Sequence, residues 1–125
     1  MKAKIKVNLS SADKKVLRHI FLMGKIKNYS EIEGCNMRVN TSVKKFLKAG
    51  LLVEDKEGYK DLNIGKYPIL AQIKTVFRNE MQRREYNLDS KTKEEISKNL
   101  KFTNNFLTEL LENMLKFGFD PKKLR

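Results

Sequence analysis

The stretch from Asn36 to Lys60 limits what this chain can fold into more than any other part of it. Val39, Val43, Phe46 and Leu47 recur at helical spacing. Asn36 stands where a helix needs a capping acceptor, and Gly50 stands where it must stop. Leu51 to Glu54 and Tyr59 to Leu62 then read as two short strands, with turn chemistry in Asp55-Lys56-Glu57-Gly58. A helix over 36–49 closed by glycine and followed at once by a hairpin over 51–62 is the expected centre of the fold.

Charge gives that segment its meaning. The 125 residues carry 27 Lys+Arg against 15 Asp+Glu, a net charge of +12. Residues 1–53 hold twelve basic side chains and three acids (Asp13, Glu31, Glu33), a surplus of +9, and no acid occurs between Gly34 and Val53. A compositional bias toward lysine would spread the charge more evenly. The asymmetry favours a polyanionic partner. A basic helix ending at a hairpin is also the order that delivers a helix into a DNA groove with a strand pair on its flank.

The rest of the chain reads as follows. Ala3, Ile5, Val7 and Leu9 alternate with Lys2, Lys4, Lys6 and Asn8, a half-buried strand whose lysines blunt an edge or clamp DNA. Ser10 or Ser11 caps a first helix, helped by Asp13, with Val16, Leu17, Ile20, Phe21 and Met23 as its apolar stripe and Gly24 as its end. Lys25-Ile26-Lys27 is short enough only to add a strand to the later hairpin. Ser30 caps a brief second helix with Ile32 inward, and Gly34-Cys35 makes the turn. Pro68 opens a helix to about Tyr86 with Ile69, Leu70, Ile73, Val76, Phe77 and Met81 apolar. A last helix, capped by Asp89 or Ser90, runs to Phe117. Its apolar side is Ile96, Leu100, Thr103, Phe106, Leu107, Leu110, Leu111, Met114 and Leu115, and Gly118 and Pro121 stop it.

From Ser10 to Asn63 the order of elements resembles the winged helix-turn-helix of small transcription regulators of the MarR, ArsR and PadR kind. Tyr29-Ser30-Glu31-Ile32 looks like the start of that family's second helix, and Gly34-Cys35 stands at its turn. Val39, Val43 and Phe46 follow the rhythm of its recognition helix. Ala49-Gly50-Leu51-Leu52-Val53 is similar to the helix-to-wing junction, and Gly58-Tyr59 to the wing's return. Asp55 and Glu57 beside Lys56 depart from a strongly basic wing. The fold class expected is mainly α with a small antiparallel β hairpin: a winged helix-turn-helix followed by two C-terminal helices. Residues 1–65 form the DNA-binding domain and 66–125 a helical dimerisation region.

At about 100° per residue, Thr41 lies opposite the apolar side of the third helix, with Arg38, Lys45 and Lys48 around it and Met37 and Lys44 at the border. Such a face suits a major groove, which offers acceptors, donors and thymine methyls. Arg38 is expected to reach guanine and Thr41 a thymine methyl, while Lys44, Lys45 and Lys48 meet phosphates. Lys56 and Lys60 on the hairpin, with Lys25 and Lys27, are candidate phosphate contacts; solvation explains Lys56 equally well.

Other chemistry has little support. With His19 and Cys35 the sole histidine and cysteine, one chain cannot build a soft-metal cluster or a Ser-His-Asp arrangement. Cys35 is most simply a small apolar turn residue. No cofactor, metal or enzymatic activity is expected. No membrane span or signal peptide is expected either, and a single cysteine fits a reducing cytoplasm.

Phe102, Phe106, Leu107, Leu110, Leu111, Met114 and Phe117 make a stripe wider than a strict coiled-coil seam. It can seal a homodimer, the arrangement favoured here because two-fold symmetry matches palindromic operators, or fold back on its own chain. The expected function is sequence-specific double-stranded DNA binding as a dimeric transcription regulator. The alternative is a protein-interaction adaptor using the winged helix and the long helix for docking. Structured-RNA binding ranks below both, because no aromatic platform is apparent.

Overall fold

The computed structural model describes residues 7–32, 34–86 and 93–124. Four helices carry the fold: α1 (Ser11–Met23), α2 (Met37–Ala49), α3 (Ile69–Tyr86) and α4 (Lys93–Asn113). Strands β1 (Leu52–Glu54) and β2 (Lys60–Leu62) pair antiparallel, with Leu52 opposite Leu62, Val53 opposite Asp61 and Glu54 opposite Lys60. The molecule is thus mainly helical with a small hairpin, as the sequence predicts.

Local chemistry sets the boundaries. Ser10 Oγ accepts from the Asp13 N–H at 3.1 Å while Asp13 Oδ2 accepts from the Ser10 N–H at 3.0 Å. This reciprocal box satisfies donors that a helix start leaves open. Asn36 Oδ1 does the same for α2, accepting from the Val39 N–H at 3.1 Å. The other end of α1 has no basic residue in its last turn. Arg78 from α3 supplies one, its Nε donating to Phe21 O at 3.1 Å and its Nη2 to Leu22 O at 2.9 Å.

Gly50 joins α2 to the hairpin in the left-handed region, φ 86°. Its N–H and that of Leu51 close the helix onto Leu47 O and Phe46 O, each at 3.1 Å. Asn63 then clamps the junction, its Nδ2 donating to Gly50 O at 2.9 Å and its N–H to Leu51 O at 2.9 Å. A Cβ at position 50 meets nothing within 4 Å, so Gly50→Ala tests backbone strain alone. The expected loss is about 1–2 kcal/mol, read as a shift in the urea midpoint without a change in slope.

Several elements differ from expectation. The second helix is a single 3₁₀ turn, Tyr29–Glu31. It starts from Asn28, not Ser30, because Glu31 Oε2 reaches back to the N–H groups of Lys27 and Asn28, both at 2.7 Å. Ile32 is buried as expected. The short segment at Ile26 does join the hairpin, through one antiparallel bridge to Lys60 with reciprocal bonds of 2.9 and 2.7 Å. Of the proposed first strand, Ala3, Ile5 and the three lysines lie outside the described residues. Val7 and Leu9 pack on the core without strand pairing.

Asp89, Ser90 and the side chains of Ile96 and Leu100 also lie outside what is described. The last helix leaves α geometry at Asn113 and continues as a 3₁₀ turn, Met114–Phe117, before Gly118. The α-helix does not resume at Pro121. Pro121 instead opens a separate 3₁₀ turn, Pro121–Leu124, because its fixed φ suits a first helical position.

One core runs through both halves of the chain. Phe77 of α3 meets Phe21 of α1 edge-on at 5.8 Å and lies 5.1 Å from Phe106 of α4. Tyr67 and Phe119 form a second edge-on pair at 5.5 Å. Leu107, Leu110, Leu111 and Met114 are buried within the same chain. The stripe expected to seal a dimer therefore folds back on its own domain, since α1 and α2 leave apolar surface that α3 alone does not cover. Met23 and Val76, expected in buried stripes, are exposed. So are Leu115 (45 %) and Phe117 (44 %).

Candidate nucleic-acid interface

The face of α2 away from the core is open. Val39, Val43 and Phe46 are buried, Leu47 is half-buried, and Met37, Arg38, Thr41, Lys44 and Lys48 are exposed. Neither α3 nor α4 covers these five. Arg38, Lys44 and Lys48 make no ion pair among the described residues. Lys44 and Lys48 stand four apart on one helical face, a like-charge spacing that costs a few tenths of a kcal/mol (~0.2–0.5) in isolation. Thr41 Oγ1 donates to Met37 O at 3.0 Å. Its hydroxyl proton is thereby committed, while its oxygen can still accept and its methyl stays exposed. Met37, 82 % exposed, is a second apolar group on this face, at the start of the helix.

Lys45 differs from the role expected of it. Its Nζ lies 2.6 Å from Asp13 Oδ2, and its side chain is 31 % exposed. Ser42 donates its hydroxyl to the other Asp13 oxygen. Asp13 is itself buried, so its charge needs these partners. Burial pushes the Asp13 carboxyl up, but hydrogen bonds from Lys45, Ser42 and the Ser10 N–H, with the nearby Lys45 charge, outweigh it and hold the pKa below the ordinary value. One carboxylate thus caps α1 and fixes the rotation of α2 against it. Sequence reasoning took Asp13 for a helix-end charge. Its partners lie 29 and 32 residues away, and no local pattern announces them. An open cleft of about 300 Å³ runs along this junction, lined by Ser10, Asp13, Met37, Arg38, Thr41 and Lys45 among others.

The hairpin presents less charge than its lysines suggest. Lys56 is exposed at the tip between Asp55 and Glu57. Lys60 is held back, its Nζ donating to Lys27 O at 2.7 Å and Gly58 O at 3.1 Å. That ties the bridge strand to the wing and makes Lys60 a brace more than a free cation. Asp55 Oδ1 accepts from the N–H groups of Tyr59 and Glu57, both at 2.9 Å. The Tyr59 N–H bond is the chief reason its pKa is lowered. Lys25 Nζ sits 4.6 Å from the Tyr59 ring centre and Lys27 Nζ 5.6 Å. Two cations on one ring give the wing a small basic flank.

No family model, curated protein or solved structure matches this chain.

A groove of about 570 Å³ lies along the second half of α2, lined by Thr41, Lys44, Lys45, Lys48, Ala49 and Lys123. Lys123 comes from the final 3₁₀ turn, a residue that sequence reasoning did not consider. Cys35, expected as a small apolar turn residue, follows the turn at Gly34 and is exposed. Among the described residues no helix is long and apolar enough to cross a membrane.

Proposed function

We propose that this chain binds double-stranded DNA as a winged-helix transcription regulator, with the exposed face of α2 in the major groove and the β1–β2 hairpin beside the backbone. One observation carries the reading: Arg38, Lys44 and Lys48 share an uncovered helical face with Thr41 and Met37, and none of these cations is paired among the described residues. A solvated helix mixes signs; this one has no acid. Arg38 is the base-reading candidate, because its forked donors match guanine, and Lys44 and Lys48 are phosphate contacts.

Fluorescence anisotropy with specific and random duplexes tests this. Affinity should fall linearly on a log–log salt plot, with a slope of about −0.9 for each phosphate neutralised. Arg38→Ala should weaken binding to the selected site by ~1–3 kcal/mol and leave random duplex nearly unchanged. Equal losses on both duplexes would remove Arg38 from base reading. A chain with no duplex affinity at low salt would point instead to an adaptor.

Pairing of two copies on a palindromic site belongs to the same proposal. Its seam would rest on Leu115 and Phe117, the large apolar side chains left exposed among the described residues at the end of the last helix. Sedimentation equilibrium with Phe117→Glu reads this directly, and an unchanged assembly state would rule the seam out.

A further inference from the structure

We propose that the final 3₁₀ turn, Pro121–Leu124, is part of the same interface, with Lys123 gripping a backbone phosphate beside Lys44 and Lys48. This rests on the DNA-binding reading and gives the C-terminal region a second job, extending the contact surface, beside the pairing that would rest on Leu115 and Phe117.

The turn fixes the backbone from which its lysine projects. Phe119, Pro121 and Leu124 are buried, and Phe119 stands edge-on to buried Tyr67. Asp120 folds the turn, its Oδ1 accepting from the Lys122 N–H and its carbonyl from the Lys123 N–H, both at 3.0 Å. Asp120 is the acid nearest in sequence to these lysines, and it does not line the groove. Between the apolar anchors, Lys122 and Lys123 are exposed, and Lys123 closes one wall of the cationic groove along α2.

Lys45 in that groove is committed to Asp13. Three uncompensated cations remain there, Lys44, Lys48 and Lys123, with no acid among the described lining residues. Gathering like charges in one concavity is unfavourable until an anion enters. The groove lies along the second half of α2, whereas Arg38 and Met37 lie at its start. Two tasks therefore separate along one helix: bases at the first turn, backbone at the last. A lysine whose backbone is fixed on a packed turn loses less chain freedom on binding than one on a loose tail.

The test uses the full chain and a short labelled random-sequence duplex. Lys123→Glu is compared with Lys101→Glu, an exposed position on α4 outside the groove that makes the same change in net charge. Lys123→Glu should weaken binding about tenfold more than Lys101→Glu, and Lys123→Gln should make the salt slope shallower by ~0.9. Circular dichroism melts of both Lys123 variants should match the parent, since the side chain is exposed. Equal losses at 123 and 101, or an unchanged slope, would overturn this assignment while the DNA-binding reading stands. A parent protein that fails to bind the duplex at low salt would overturn both.

Discussion

A fragment of residues 1–65 should remain unfolded in dilute buffer, and Phe77→Ala in the full chain should lose about 3–5 kcal/mol. Phe77 is fully buried, and it bridges Phe21 of α1 and Phe106 of α4. Truncating it removes the apolar transfer energy and leaves a cavity between three helices. A domain of this size holds only about 5–15 kcal/mol in all, so this one side chain supports a large share of it. Cutting at residue 65 goes further. It strips α3 and α4 from Val16, Leu17, Ile20 and Phe21, and removes Arg78 from the end of α1. A flat amide-proton spectrum for the fragment and a urea midpoint shift for Phe77→Ala are the readouts. A folded fragment would mean that α1, α2 and the hairpin stand alone and that the C-terminal helices are an appendage.

Asp13→Ala should cost about 2–4 kcal/mol, lowering the melting temperature by roughly 10 °C. The change removes half of the α1 capping box and the acceptor of Ser42, and leaves partly buried Lys45 without its counter-charge. It should also loosen α2 relative to α1, visible as faster amide exchange at Ser42 and Val43. Asp13→Asn keeps the shape and isolates the charge. The Asp13 pKa is depressed in the folded chain. Its contribution is therefore full above the unfolded value of about 4 and is lost as pH falls through the lower folded value. The gap in stability between the parent and Asp13→Asn should narrow on acidification below about pH 4. Glu31 and Asp55, chiefly through the backbone N–H groups of Asn28 and Tyr59, shift in the same direction. A gap that is constant with pH would show that shape, not charge, joins α1 to α2. The same geometry changes the meaning of Lys45→Ala. A loss of DNA affinity there would reflect a displaced helix as well as a missing phosphate contact, so Lys44 and Lys48 are the cleaner probes.

The sequence by itself determined the elements whose causes are local. Asn36 and Ser10 cap, Gly50 ends α2, and Asp55 to Gly58 turns the hairpin, because each acts on backbone groups within a few residues. The exposed side of α2 was legible for the same reason: period alone sorts Val43 and Phe46 from Thr41 and Lys48. Tertiary structure decided everything that depends on a distant partner. An apolar stripe announces that it will be buried but not against what, so Leu107 and Leu111, read in favour of a dimer, adopt the fold-back instead. A lysine announces a charge but not its neighbour. Only packing joined Lys45 to Asp13, drew Lys60 onto two carbonyls and brought Lys123 to the groove beside Lys44 and Lys48.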